Sequence, residues 1–320
     1  MPGLKEAQRR HSTYYAFVLQ QADELYLKGG ESSLLGLISF GDEWLNIQKG
    51  QSWAEAHEGE YDHSAAELCS QYADNGSYLL NLRQHPRERI HWLETALVAV
   101  RRLNKRNKEG QHLGNLGLAY IDLGEVHHAI QCYEEVLTIA REVNDRQMEG
   151  NSLGNLGNAY NILGKPASAT TYYEQALFID REIEDRQGEA TDLGNLGVAY
   201  KNQDEYQRAI ELHEQALVID REIGNRRGEE ANLGNLGNAY LALGNVQEAI
   251  KLYELALIIA REIGHHKGEG NALWAMSLAL DKIGSRSQAI VDAKIAFEIY
   301  VQLEDPTAER VANQLKEWQP

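Results

Sequence analysis

Eleven histidines, two cysteines and a recurring asparagine are the residues of this chain whose chemistry has to be settled first. His127-His128 and His265-His266 are adjacent pairs, and neighbours on a helix point away from each other rather than at one metal ion. Ala167-Ser168 and Gln207-Arg208 hold the positions equivalent to His127-His128, so that site reads as variable, solvated surface. Cys69 and Cys132 lie 63 positions apart without a Cys-x-x-Cys, and Cys132 neighbours a core position, Tyr133. Both read as packing thiols, and so few cysteines fit a reducing, cytoplasmic setting. There is no Gly-x-Ser-x-Gly elbow, no His-Glu-x-x-His and no glycine-rich phosphate loop ending in Lys-Ser/Thr. No catalytic, cofactor or metal residue is assigned, and a non-enzymatic protein is expected.

The asparagines are the better candidates. Asn115, Asn155, Asn195 and Asn235 recur beside a leucine, with Asn158 and Asn238 one turn later. An amide offers donors and an acceptor together, which suits hydrogen bonding to the backbone of a bound peptide. The competing reading is structural, with each amide bonding a neighbouring helix or turn; the two can coexist.

These asparagines are placed by a repeat. The string Leu-Gly-Asn-Leu-Gly begins at Leu113, Leu153, Leu193 and Leu233, a spacing of 40 each time. Tyr120, Tyr160, Tyr200 and Tyr240 follow in register, as do Ala129, Ala169, Ala209 and Ala249, and Arg141, Arg181, Arg221 and Arg261. A period of this length means a stacked array. Each block predicts two helices. In the second block the first runs from about Gly150 to Leu163, with Leu153, Leu156, Gly157 and Tyr160 on one face. Gly164 ends it, and Pro166 opens a second helix that reaches about Glu184 and buries Ala169, Tyr173, Ala176 and Leu177. A glycine inside a helix costs about 1 kcal/mol against alanine, so the glycines at 117, 157, 197 and 237 need a packing reason; close approach of the paired helices is the expected one.

First helices should line the inner, concave face. That puts Asn151, Asn161, Lys201 and Trp274 with the asparagine ladder in a groove that is amide-rich, apolar and almost uncharged. The fold class expected is all-α, a right-handed superhelical solenoid: an N-terminal helical region over 1–69, about six repeats over 70–304, and a capping helix over 305–320. Block one is degenerate, with Leu80 for tyrosine and Arg89 for alanine. Asp305-Pro306 starts the last helix, whose stripe of Ala308, Val311, Leu315 and Trp318 should cover the open end.

The chain carries 31 basic and 48 acidic side chains, a net charge of −17. Residues 1–110 hold 13 basic and 15 acidic groups, and residues 111–320 hold 18 and 33. The acidic excess therefore belongs to the repeats, where it argues against nucleic acid as a partner. No apolar run approaches the length of a membrane span, and none fits a signal peptide. Within the locally basic stretch from Arg83 to Lys108, Arg101 to Lys108 reads as a helix end whose cations suit the dipole, in preference to a dedicated anion site. Arg141, Arg181, Arg221 and Arg261 face Glu149, Glu189, Glu229 and Glu269 of the following blocks, a pattern of inter-repeat ion pairs.

The motif Leu156, Gly157, Ala159, Tyr160, then Gly164, Ala169, Tyr173 and Ala176, resembles the tetratricopeptide repeat. The 40-residue unit, with arginine where the family often has proline, is similar to the repeats of kinesin light chain and of the G-protein-signalling modulators. The resemblance implies a scaffold that binds a peptide or protein segment in its groove, with the matching asparagines contacting peptide. A carboxylate clamp, as in chaperone-binding relatives, would need clustered Lys or Arg on the inner face, where only Lys201 and Lys282 stand; that subclass is disfavoured. Arg10-His11, Tyr15 and Asp42-Glu43-Trp44-Leu45-Asn46-Ile47 resemble the helical region that joins nucleotidase to repeats in bacterial STAND-type signalling ATPases. This implies an alternative role as the sensor part of such a system, without its nucleotide-binding module. The partner's identity and the oligomeric state are not encoded in any motif.

Overall fold

A residue in the left-handed region ends the first helix of each repeat. In the computed structural model, which describes residues 3–59 and 63–318, Gly124, Gly164, Gly244 and Gly284 have φ of 80°, 67°, 83° and 82°. Asp204 takes the same place at φ 61°, a conformation that costs a residue with a Cβ about 1 kcal/mol or more. Sixteen helices follow one another among the described residues, with no strand. The chain divides into two compact units, Met1–Ala159 and Tyr160–Pro320.

The first unit opens with a long hairpin, α1 (Leu4–Leu27) and α2 (Gly30–His57), followed by α3 (Ser64–Asn75), α4 (Ser77–Arg83), α5 (Pro86–Arg102), α6 (Arg106–Asp122) and α7 (Val126–Val143). Helix α8 (Arg146–Ile162) begins here. Gly36 lets α1 and α2 touch, since a Cβ there would lie 2.5 Å from the Ala22 carbonyl oxygen. On α1, Ser12, Ala16, Leu19, Ala22 and Asp23 form the buried face and Tyr14 is exposed. Polar groups on that face are satisfied across helices. Ser12 Oγ donates to the Gly50 carbonyl at 2.7 Å, Tyr72 Oη donates to that of Ser12 at 2.8 Å, and the Leu79 amide donates to Asp23 at 2.8 Å. Arg89, standing at an alanine position, is buried because its guanidinium bonds Asn81 and reaches Asp122 at 3.4 Å.

The second unit holds α9 (Pro166–Glu182), α10 (Arg186–Lys201), α11 (Tyr206–Ile223), α12 (Arg226–Ala242), α13 (Val246–Glu262), α14 (His266–Lys282), α15 (Arg286–Gln302) and α16 (Thr307–Trp318). Its core runs through Leu193, Leu196, Leu233, Leu236, Tyr253, Leu273 and Tyr300 to Val311 and Trp318, and Trp318 lies 6.3 Å from Trp274 between ring centroids.

The helix glycines have a more specific task than close helix approach. A Cβ at Gly237 would sit 2.6 Å from the Tyr253 ring, and one at Gly197 would sit 2.6 Å from His213 Nε2. In the first unit, Gly117 stands in the same relation to Tyr133, at 2.4 Å. Each glycine is a slot for an aromatic ring carried by the second helix of its own repeat. The predicted ion pairs form as well, at 2.8 Å for Arg141–Glu149, Arg181–Glu189 and Arg221–Glu229 and 2.7 Å for Arg261–Glu269. They are not plain surface pairs. Glu149, Glu189 and Glu229 are buried, and each takes a second arginine from the next helix start, Arg146, Arg186 or Arg226.

Candidate functional site

Each unit has its own groove along its first helices. In the first unit a cavity of about 500 Å³ is lined by Asn115, Asn151 and Asn155, with Gly114 leaving open space at its floor and Leu118, Val136 and Met148 giving it apolar wall. In the second a larger groove of about 940 Å³ brings together Asn235, Asn238, Asn271, Lys201 and Trp274. The three remaining predicted positions line neither. Asn161 accepts a hydrogen bond from Asn202 at 3.1 Å, and Asn195 stands beside Asp192, where it helps to lower the pKa of that carboxyl. Asn158 is exposed on α8. The asparagine ladder thus divides. Some amides face open space in two separate grooves, and Asn195 serves the protein's own carboxylate.

The second groove is held from behind by a polar chain. His213 Nδ1 donates to Asn232 Oδ1 at 2.9 Å, and Asn232 Nδ2 donates to Asp220 at 2.8 Å. That donor order assigns the proton to Nδ1 in a neutral ring, and burial holds the His213 imidazole below its ordinary pKa. Asn225 bonds Asp220 at 2.7 Å and accepts from the Gly228 amide at 3.1 Å, capping α12. In front of this layer, Tyr253 Oη donates to Asn238 at 2.8 Å and Tyr300 Oη to Asn271 at 2.8 Å. These bonds occupy one carbonyl lone pair each and leave the amide donors of both residues uncommitted by them.

The wall is more charged than the sequence suggested. Arg227, Glu230, His265, Asp204 and Arg310 also line it. His265, which the sequence marked only as one of two adjacent histidines, has its Nδ1 2.5 Å from a buried Glu230 carboxylate. A signal for this pair was present. Asp145, Asp185 and Asn225 occupy the position of His265, and Gly150, Ala190 and Gly270 that of Glu230, so both depart from the repeat. Arg310 had no such signal, because it lies on α16, outside the repeat. Among the described residues, no group of three or more His, Cys, Asp or Glu side chains is placed to hold a metal ion. Burial pushes the Cys69 thiol up to about 12 and Cys132 up to about 11, which leaves both protonated and unreactive at neutral pH.

The family profile described as tetratricopeptide repeat matches residues 108–182, 148–222 and 229–300, together more than half of the chain. The chain belongs to the tetratricopeptide repeat family. Solved tetratricopeptide-type structures share its fold. BtubC (BKLC) from P. vanneervenii is 20% identical over 68% of this chain and 92% of its own, with a TM-score of 0.60. A STAND protein with a tetratricopeptide repeat sensor, from Pyrococcus horikoshii, is 18% identical over 98% of this chain and 50% of its own, at 0.63. A Rap protein complexed with competence and sporulation factor is 13% identical over 98% of both chains, at 0.60. At such identities the likeness is one of fold. No curated protein sequence matches the chain significantly. Among the described residues, no helix is long and apolar enough to cross a membrane.

Proposed function

We propose that this tetratricopeptide repeat protein is a non-catalytic, cytoplasmic scaffold that binds a peptide or protein segment along its first helices. The observation that carries this reading is the groove of the second unit, where the amides of Asn235, Asn238 and Asn271 border one 940 Å³ space beside the apolar face of Trp274. Repeated amides at helical spacing match the repeated donors and acceptors of a peptide backbone, while an indole and small neighbours such as Ala231 and Gly234 leave room for side chains. The complex of the Rap protein with competence and sporulation factor supports the same use of the fold.

The test is isothermal titration of binders selected from a random dodecapeptide display library with the full chain. Asn235→Ala should weaken such a binder with little change in the thermal melt. Binders indifferent to this substitution and to Trp274→Ala would overturn the reading.

A second reading is favoured by the likeness to the STAND protein, which extends over 98% of this chain. On it, the groove is the sensor of a signalling ATPase system that acts with a separate or fused nucleotide-binding module. A phosphate-loop ATPase encoded beside this gene, and copurifying with the chain, would support it.

A further inference from the structure

The arginines that link the repeats of the second unit are committed within the fold. Arg181, Arg186, Arg221, Arg226 and Arg261 are each bonded to a glutamate. Lys201, in the last turn of α10, Arg227, in the first turn of α12, and Arg310, on α16, line the groove with no salt-bridge partner among the described residues. Two carboxylates share the wall, and both are engaged. Glu230 meets His265 at 2.5 Å, and Asp204 accepts the Tyr206 hydroxyl at 2.5 Å.

Three cations without a salt bridge thus face two carboxylates across one cavity, a local excess of positive charge in a chain whose net charge is −17. Charges beyond roughly 8 Å are screened at physiological salt, so the local set decides what enters. A guanidinium matches a carboxylate with two parallel hydrogen bonds, and a partly enclosed wall strengthens them. The capping helix is therefore also a wall of the site, because it supplies Arg310.

We propose that the groove of the second unit takes an acidic peptide segment, whose Asp or Glu side chains pair with Arg227, Arg310 and Lys201 while Asn235 and Asn271 bond its backbone. This rests on the peptide-groove reading above and adds the charge of the ligand.

The experiment is a phage-display selection of random dodecapeptides by the full chain, repeated with Arg227→Gln/Arg310→Gln and with Asn235→Ala. Non-specific adsorption to an acidic protein enriches basic peptides, so the prediction runs against the background. The enriched set should be richer in Asp and Glu than the input. A synthetic member should bind the double-arginine variant roughly ten-fold more weakly, and the wild type more weakly as salt rises, while the variant's circular-dichroism melt is unchanged. Neutral or basic binders that depend on Asn235 but not on the arginines would overturn the acidic assignment and leave the groove reading standing. Failure to enrich any peptide sensitive to either variant would overturn both.

Discussion

The carboxyl groups of Asp180 on α9 and Asp192 on α10 are hydrogen-bonded to each other inside the second unit, both buried. Two buried carboxylates that interact directly cannot both ionise without repelling, so the pair holds on to a proton. Burial, the neighbouring Asp180 charge and the shared hydrogen bond raise Asp192 to about 8, against a smaller opposing bond from Asn195. Burial raises Asp180 to about 6, offset in part by the Asp192 bond, with Asp185 and Glu189 adding to the rise. In the next repeat Asn232 replaces the second carboxyl and donates to Asp220 at 2.8 Å.

The pair makes stability pH-dependent. Its folded pKa values lie above the unfolded carboxylate value, so its contribution is fully present below about pH 4 and is lost as pH rises through about 8. Asp192→Asn, copying Asn232, should remove this loss. Urea unfolding at pH 6 and pH 9 checks it. The wild type should lose on the order of 1–3 kcal/mol more than the variant across that interval. Equal losses would show that the two carboxyls do not share a proton.

The arginine clamps act in the opposite direction. Burial raises the Glu189 carboxyl, but the hydrogen bonds from Arg181 and Arg186 outweigh it and hold the group below its ordinary value. Its stabilisation is present at neutral pH and lost as pH falls through the lowered value. Glu189→Ala leaves Arg181 without its partner and Arg186 with Glu222 alone, and should cost about 1–3 kcal/mol at pH 7, less at pH 3. Denaturant midpoints at the two pH values measure the difference.

Gly237→Ala should destabilise although alanine is the better helix former, because the new methyl would meet the Tyr253 ring at 2.6 Å. A loss of about 1–3 kcal/mol is expected. Gly234 lies one turn earlier with nothing within 4 Å of a built Cβ, so Gly234→Ala should be neutral or gain up to about 1 kcal/mol. Paired thermal melts of the two variants decide whether the ring slot, rather than helix propensity, governs these positions.

Asn195 and Asn235 should separate by phenotype although they occupy the same repeat position. Asn195 stands beside the buried Asp192 carboxyl, so Asn195→Ala should lower the melting temperature. Asn235 faces the open groove, so Asn235→Ala should spare the melt and weaken peptide binding. Differential scanning fluorimetry and titration of one selected peptide test both halves.

The repeat was legible from the sequence because it is local. The 40-residue spacing, the leucine and alanine stripes, and Gly124 or Gly164 at the helix ends follow from helical geometry and the scarcity of left-handed conformations. So did the Arg–Glu pairs, since each partner lies eight residues from the other across one turn. What periodicity could not reveal is which copies of one motif do different work. Asn195 and Asn235 occupy the same place in the repeat, and only the buried Asp192 carboxyl beside the one, and the cavity in front of the other, distinguish them. Glu230 and His265 are 35 residues apart and are unremarkable alone; they become a pair when two first helices stack. Arg310 enters the groove because α16 packs over the end of the second unit, a placement that depends on Val311 and Trp318 finding the apolar surface left by the last repeat. The sequence by itself determined the helices and their repeat, because those rest on contacts a few residues apart. The tertiary structure alone decided the charge of the groove and the division of the asparagines, because those depend on side chains that become neighbours only when the repeats pack.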